Sequence, residues 1–398
     1  MRYRIEKDEI GELQLPAEAY YGIYTARSAN NFAITKRGIN RQMIKALTIV
    51  KKSAAKANMD AGELDSNIAE AIMSSCDEIL NGRLHGQFIT DLIQGGAGSG
   101  MNMNANEVIA NRANEMLGGR KGTYEYVHPI KHVNCGQSTN DVVPTAARIA
   151  ITKQIKKLQV ELKKLQNSFI SKSKEYEHLS RNGRTHLQIA SPINLGTEFL
   201  ACANVLGRDL KRLDLALTSL SEVNMGGTSI GTSLNAHPKY LKKIVFYINK
   251  YSGEEFVPAK DLIDKTRNLD AFVFTSSVLK VLATNLSKIA SDLRLLASDG
   301  SRGFNEINLP NVEMGSSTMP GCFNPVIPEV INQISFYVYG LDTTITKACE
   351  SGQLEINVFS PIIYMSLFEQ ITSLRRGMRT LREKAIDGLT VNEKIILE

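Results

Sequence analysis

The sequence predicts a mainly α protein centred on a long helical bundle. Three observations predict it. Apolar residues recur at alternating steps of three and four over five separate stretches, and several of those stretches carry a second apolar position. The glycine-rich and hydroxyl-rich segments fall between the stretches, not inside them. Alternating three-four spacing keeps one apolar seam on a helix, the geometry of nearly parallel or antiparallel bundle packing. A helix that is apolar on more than one stripe has to bury more than one face.

Taken in order, residues 1–40 are short segments broken by Gly11, Pro16, Gly22 and Gly38, with a strand in the first few residues. From about Arg41 to Leu80 the pattern is helical, through Ile44, Leu47, Val50, Ile68, Ile72 and Ile79, and Gly82 and Gly86 close it. The loop Gln94-Gly95-Gly96-Ala97-Gly98-Ser99-Gly100 then leads into a helix carrying Asn102, Asn104, Asn106 and Glu107, stopped by Gly118 and Gly119. A second polar loop runs from His132 to Asp141.

The long stripes follow. The first is Ile151, Ile155, Leu158, Leu162, Leu165 and Phe169. Next come Leu206, Leu210, Leu213, Leu217 and Leu220, and then Leu282, Leu286, Ile289, Leu293 and Leu296. Ile331, Ile334, Val338, Leu341 and Ile345 make a fourth; Leu367, Ile371, Leu374, Met378 and Leu381 make a fifth. Val205, Val278, Val281, Val330 and Phe368 supply second apolar positions and point to self-association through the bundle.

At 398 residues the chain exceeds one compact core, so two or more structural units are expected. The boundaries expected are 1–138 for a mixed, mostly helical N-terminal domain, 139–390 for the bundle, and 391–398 for a short tail. A net charge of +6, from 47 basic and 41 acidic residues, suits small anionic substrates and gives no basic cluster of the kind that binds nucleic acid. Five cysteines, Cys76, Cys135, Cys202, Cys322 and Cys349, are scattered without close pairs, which argues for a reducing compartment and against a zinc site. MRYRIEKDEIGEL is too charged for the apolar region of a signal peptide, and no run reaches membrane-spanning length. The expected location is the cytoplasm, with no membrane partner.

The polar loops hold the chemistry. Gly183-Arg184-Thr185-His186-Leu187-Gln188 separates the first two stripes, and Asn224-Met225-Gly226-Gly227-Thr228-Ser229-Ile230-Gly231-Thr232 lies ahead of the third. The loop Gly315-Ser316-Ser317-Thr318-Met319-Pro320-Gly321-Cys322-Phe323-Asn324-Pro325 combines flexible glycines, fixed prolines and three consecutive hydroxyls, the composition of a polar loop that covers a ligand. Together the loops offer neutral hydrogen-bond donors and few carboxylates. That inventory suits an oxyanion formed transiently from a carboxylate or carbonyl. Neither the phosphate-binding nor the dinucleotide glycine fingerprint is present, and no metal-ligand spacing appears. Singly, each loop has a plainer reading: Ser138-Thr139-Asn140-Asp141 as a helix cap, Asn102, Asn104 and Asn106 as exposed helix residues, His186 as an ordinary histidine.

Jointly the segments QGGAGSGMNMNANEVIANRANE, CGQSTNDVVPT, NGRTHLQIASPINLGTEF, EVNMGGTSIGTSLN and GSSTMPGCFNP resemble, in the same order, the aspartase/fumarase superfamily. The resemblance runs from about Ile5 to Glu393 and is nearest to the aspartate ammonia-lyase branch at IEKDEIG and NPVIPEV. It implies a homotetramer with a twenty-helix core, five helices per subunit, active sites shared between subunits, and no organic cofactor. It implies elimination of ammonia from aspartate, or a related amino acid or dicarboxylate, to give fumarate or another α,β-unsaturated acid.

By the same resemblance Ser316 would be the general base. Ser99, Ser138, Thr139 and Ser317 would hold the acidifying carboxylate. Asn140, Thr185 and His186 would surround the leaving amine, Asn324 would touch the second carboxylate, and Glu329 would orient His186. Several positions depart from the family pattern. Cys322 stands where a lysine usually pairs with the second carboxylate, Ser99 replaces a threonine, Gly100 a hydroxyl residue and Ile189 an aspartate, and the sequence ends at Glu398, ahead of the family's small C-terminal domain. Cys322 therefore keeps two further readings open: a lyase for a modified substrate, and a catalytically silent structural or regulatory member.

Overall fold

The computed structural model describes residues 2–298, 303–314 and 323–396. They form two compact units, each drawn from three stretches of the sequence.

The first unit comprises the chain up to Lys153, Ser219–Val273 and Thr344–Phe368. It opens on an antiparallel hairpin of β1 (Tyr3–Asp8) and β2 (Gly11–Pro16), in which Tyr3 faces Pro16 and Asp8 faces Gly11. The Asp8 carboxylate accepts the Ile10 and Gly11 amides in the turn, where Gly11 has φ +139°. Helices α1 (Ile23–Asn31), α2 (Arg41–Ala61), α3 (Ser66–Leu80) and α4 (Ser99–Met116) follow.

The helical pattern from Arg41 to Leu80 is broken in two. Gly62 takes a left-handed conformation at the end of α2 (φ 83°), and the Asp65 carboxylate caps α3 by accepting the Asn67 amide at 2.8 Å. α2 buries Ile44, Leu47, Val50 and Ala54. It packs on α3 and on α7 (Pro238–Ser252), which comes later in the chain. Pro238 at the first position and His237 as N-cap start α7, so its entry is locally encoded. The small parallel pair β5 (Glu222–Val223) and β6 (Val257–Pro258), with the short α8 (Leu262–Arg267), completes the second stretch.

α4 is held by hydrogen bonds more than by an apolar stripe. Asn102, Asn104, Asn106, Asn111 and Asn114 are all buried, not exposed. Asn104 donates to the Gln87 carbonyl and accepts the Ile89 amide, both at 2.9 Å. Asn111 donates to the Tyr20 carbonyl and accepts the Gly122 amide; Asn114 does the same with Val127 and Tyr126. Each of these side chains replaces backbone partners that the surrounding loops lack.

Glu107, also buried, caps α1 by accepting the amides of Gly22, Tyr24 and Thr25 and the Thr25 hydroxyl. Gly22 has no room for a side chain, because a Cβ there would overlap Glu107 and the Tyr124 hydroxyl. Burial is the largest influence on the Glu107 carboxyl and pushes it from 4.5 up to about 7. The folded state therefore keeps a proton that the unfolded chain releases above about 4.5. The stability this supplies is full below that pH and is lost as pH rises through 7. Removing the titration with Glu107→Gln is expected to erase about 2–3 kcal/mol of the stability change between pH 4.5 and 8. Denaturant unfolding of both proteins across that range measures it; identical pH slopes would refute the assignment.

The second unit comprises Gln154–Thr218, Phe274–Thr343 and the chain from Glu369. It contains the greater part of five long helices: α5 (Thr139–Glu175), α6 (Leu195–Leu220), α9 (Asp270–Leu296), α10 (Val326–Glu350) and α11 (Ser360–Leu381). The stripes are the buried seams, with Ile155, Leu158, Leu162, Leu206, Leu213, Leu282, Leu286, Ile331, Val338, Ile371 and Leu374 all buried. Polar cross-links set their register. Ser276 of α9 donates to Asp342 of α10 at 2.7 Å, and Gln370 of α11 donates to Ser276 and to the Val338 carbonyl. Asp209 on α6 is buried and accepts from Asn285 and Arg212. The second apolar positions divide: Val278 is buried, whereas Val281 and Val330 remain exposed, together with Phe274 and Phe336.

The hairpin of β3 (Ser180–Thr185) and β4 (Gln188–Asn194) and the pair β7 (Ile307–Asn308) and β8 (Thr390–Val391) also belong to this unit. No helix among the described residues is long and apolar enough to cross a membrane.

Candidate active site

Two groups of the expected site residues are visible, one in each unit. In the first unit the loop before α5 and the loop at 224–229 are tied to one carboxylate. Asp141, fully buried, accepts the amides of Ser138 (2.9 Å), Gly226 (3.1 Å) and Thr228 (3.0 Å). Ser138 in turn accepts the Asn140 amide at 3.2 Å, so the Ser138–Asp141 segment does cap a helix. The cap uses the Ser138 amide, while the Ser138 side chain lines the pocket that opens beside it. Asn140 bridges the loops by donating to the Ser229 carbonyl at 2.7 Å, and Asn224 donates back to the Asn140 carbonyl at 2.9 Å. Burial is the largest influence on the Asp141 carboxyl and raises it to about 6.

A pocket of about 260 Å³ opens here, lined by Gly136, Gln137, Ser138, Thr228, Ser229 and Asn235 among others. Its lining side chains are mostly hydroxyls and amides, with the apolar Leu234 among them. Ser99 begins α4 and donates to the Gly96 carbonyl at 2.7 Å. One turn further, Asn102 donates to the Thr139 hydroxyl at 3.3 Å, which connects the start of α4 to the same loop. Positive φ at Gly96, Ala97 and Gly98 produces the tight entry to that helix.

Gly100 shows how closely this corner is built. A Cβ at this position would overlap the hydroxyl of Ser28, a buried group with no hydrogen-bond partner among the described residues, and come within 2.8 Å of Gln94 Oε1. Gly100→Ser is therefore expected to destabilise the protein by about 1–3 kcal/mol. Gly100→Ser combined with Ser28→Ala is expected to recover most of that loss. A thermal-unfolding double-mutant cycle reads the coupling, and additive effects would contradict it.

In the second unit Thr185 and His186 sit at the exposed tip of the β3–β4 hairpin, where His186 and Leu187 both have positive φ, 54° and 60°. The base of the hairpin is clamped. Arg181 makes a bidentate pair with Glu198 at 2.6 and 2.7 Å, and Arg181 and Arg184 both reach Glu306. Leu187 and Ile189 flank the tip and are 63% and 66% exposed. Asn324 is exposed just ahead of α10, and Glu329, in its first turn, lies 3.7 Å from Arg294. Among the described residues no hydrogen bond or ion pair within the chain joins Glu329 to His186. Ser316, Ser317 and Cys322 lie outside the described residues.

Sequence reasoning treated Asp141 only as part of a cap and passed over Asn134 and Asn224. Asp141 had a signal: an acidic residue three positions after Ser138 forms a capping box. Asn224 had none, because its partner, Asn140, is distant in the chain.

A family model described as a lyase matches residues 11–340, and the chain belongs to that family, within the aspartase/fumarase superfamily. Among individual relatives, the aspartate ammonia-lyase of Bacillus subtilis (strain 168) is 50% identical over 392 residues, 98% of this chain and 82% of that protein. The aspartate ammonia-lyase of Escherichia coli (strain K12) is 43% identical over 395 residues, 98% of this chain and 83% of that one. The crystal structure of a fumarate lyase:delta crystallin from Brucella melitensis bound to cobalt superposes with a TM-score of 0.98 at 43% identity, covering 100% of this chain and 86% of that one. A recombinant class II fumarase from Schistosoma mansoni gives 0.96 at 31% identity, covering 100% and 86%.

Proposed function

We propose that this protein is an aspartate ammonia-lyase, a carbon–nitrogen lyase that converts aspartate to fumarate and ammonia. The observation that carries this reading is 50% identity to a bacterial aspartate ammonia-lyase across 98% of the chain. It favours aspartate over the modified-substrate and silent-subunit readings that Cys322 raised.

The reaction needs a weakly acidic Cβ proton removed beside a carboxylate. Its electron pair passes into the carboxylate to form an aci-carboxylate, then returns to make the Cα–Cβ double bond as the Cα–N bond breaks. Donors aimed at the developing charge matter most. We assign proton removal to Ser316 and the holding of the acidifying carboxylate to Ser99, Ser138, Thr139 and Ser317. Asn140, Thr185 and His186 take the amine side, Glu329 orients His186, and Asn324 and Cys322 face the second carboxylate. The pocket lined by Ser138 supports that residue's part in the carboxylate assignment.

We place the protein in the cytoplasm as a homotetramer whose copies share each site. Exposed Leu187 and Ile189 at the hairpin tip, and exposed Phe274, Val281 and Phe336 on the bundle, support that assembly.

Absorbance of fumarate with purified protein and aspartate is the direct test: product is expected, and none at saturating aspartate with an intact tetramer would reject the reading. Cys322→Lys should lower the KM for aspartate by about tenfold, as restored charge pairing is worth more than about 1 kcal/mol. An unchanged KM would remove Cys322 from the substrate site.

A further inference from the structure

The residue that organises the carboxylate-holding loop from behind is one the chemistry above does not use. Lys51 lies on the buried face of α2, between Val50 and the small residues Ser53 and Ala54, and has no solvent exposure. Its ammonium donates to Asn134 Oδ1 at 2.7 Å and to Gln137 Oε1 at 3.0 Å. Neither partner is charged. The same Asn134 oxygen accepts from Asn102 at 3.3 Å and from Asn106 at 3.2 Å, and Asn102 also donates to the Thr139 hydroxyl. Gln137 immediately precedes Ser138 and lines the pocket. One buried cation therefore fixes two side chains of the loop, and through Asn102 its influence extends to Thr139.

A lysine is a costly way to hold two amides. Burial is the largest influence on it and pushes the ammonium down to about 7, against an opposing pull from Asp141 on α5. A neutral side chain of the same length would avoid that desolvation. A group kept at a cost to folding, next to a ligand site, is better explained by the site than by the fold.

We propose that Lys51 is a positioning residue for substrate binding: it holds Asn134 and Gln137 so that Ser138 faces the pocket and Thr139, tied through Asn102, stays beside it. The proposal rests on the reading that this loop binds the substrate carboxylate. It does not make Lys51 a catalytic residue, since its ammonium is sealed from the pocket.

Lys51→Met keeps the length and removes both the charge and the donors. The expected result is a KM for aspartate raised at least about tenfold, with kcat changed much less and a thermal midpoint equal to or above that of the parent. Looser loop donors weaken ground and transition states alike, which appears in KM. Unchanged KM would overturn the proposal, and so would parallel loss of thermal midpoint and activity, because a merely structural lysine would give that. Should the variant not fold, Asn134→Asp supplies the second test. It preserves size but removes the amide that Asn134 donates to the Gln137 carbonyl at 3.2 Å, so KM should again rise with assembly intact, and an unchanged KM overturns the proposal. If the parent itself does not turn over aspartate, the functional reading fails first; an active parent with an indifferent Lys51→Met variant refutes this inference alone.

Discussion

Replacing Asp141 with alanine is expected to abolish measurable turnover and to cost about 3–5 kcal/mol of stability, as expected when a buried, fully hydrogen-bonded charge is removed. One carboxylate satisfies three backbone amides drawn from two loops, those of Ser138, Gly226 and Thr228. Alanine leaves all three donors without that acceptor, the Gly226 and Thr228 amides buried and the Ser138 amide partly so. Water cannot easily replace it, because Asp141 has no solvent exposure. The loops then lose the tie that presents Ser138, Thr139 and Asn140 side by side, so activity falls even in the fraction that stays folded. Asp141→Asn retains one acceptor oxygen and should fall between the two. Denaturant unfolding and the fumarate assay on both variants decide the matter. A loss under about 1 kcal/mol for the alanine variant would show that the loops are held by something else.

The second large effect is chemical. Ser316→Ala should reduce kcat by about 10²–10⁴-fold, the range expected when a general base is removed, with little change in KM. A serine hydroxyl is a weak base in water, so the loss also measures how far its surroundings stabilise the alkoxide. Assembly and thermal midpoint should match the parent, since a single hydroxyl is lost. Retained turnover would assign the base elsewhere.

Much of the bundle was legible from spacing alone. Leu282, Leu286, Ile289, Leu293 and Leu296 are all buried on α9, as their three-four rhythm requires. The break between α2 and α3 was less visible, because Gly62 and Asp65 interrupt a pattern that resumes almost at once. The β3–β4 hairpin was read only as a polar loop. Most of its residues from Thr185 onward are exposed, so no alternating apolar pattern marks its strands. Asp209 and Asn102 were invisible as core residues for another reason. Periodicity detects apolar faces, whereas a buried polar group is determined by a partner elsewhere in the chain, as Asn285 is for Asp209. The site residues were legible only through order-preserving resemblance across several loops, since Ser138-Thr139-Asn140 alone reads equally well as a cap.

The asparagines of α4 have a consequence for anyone mapping this enzyme by substitution. A helix seated by apolar contacts tolerates exchange of one hydrophobe for another. α4 is keyed instead at Asn104, Asn111 and Asn114, whose amides each offer a donor on one side and an acceptor on the other to fixed backbone groups. Aspartate lacks the donor, leucine lacks both, and glutamine places them a methylene too far. In a saturation scan Asn104, Asn111 and Asn114 should therefore be as intolerant as the residues that meet the substrate. Intolerance on this helix reports the fit of a key, and only a kinetic measurement separates it from chemistry.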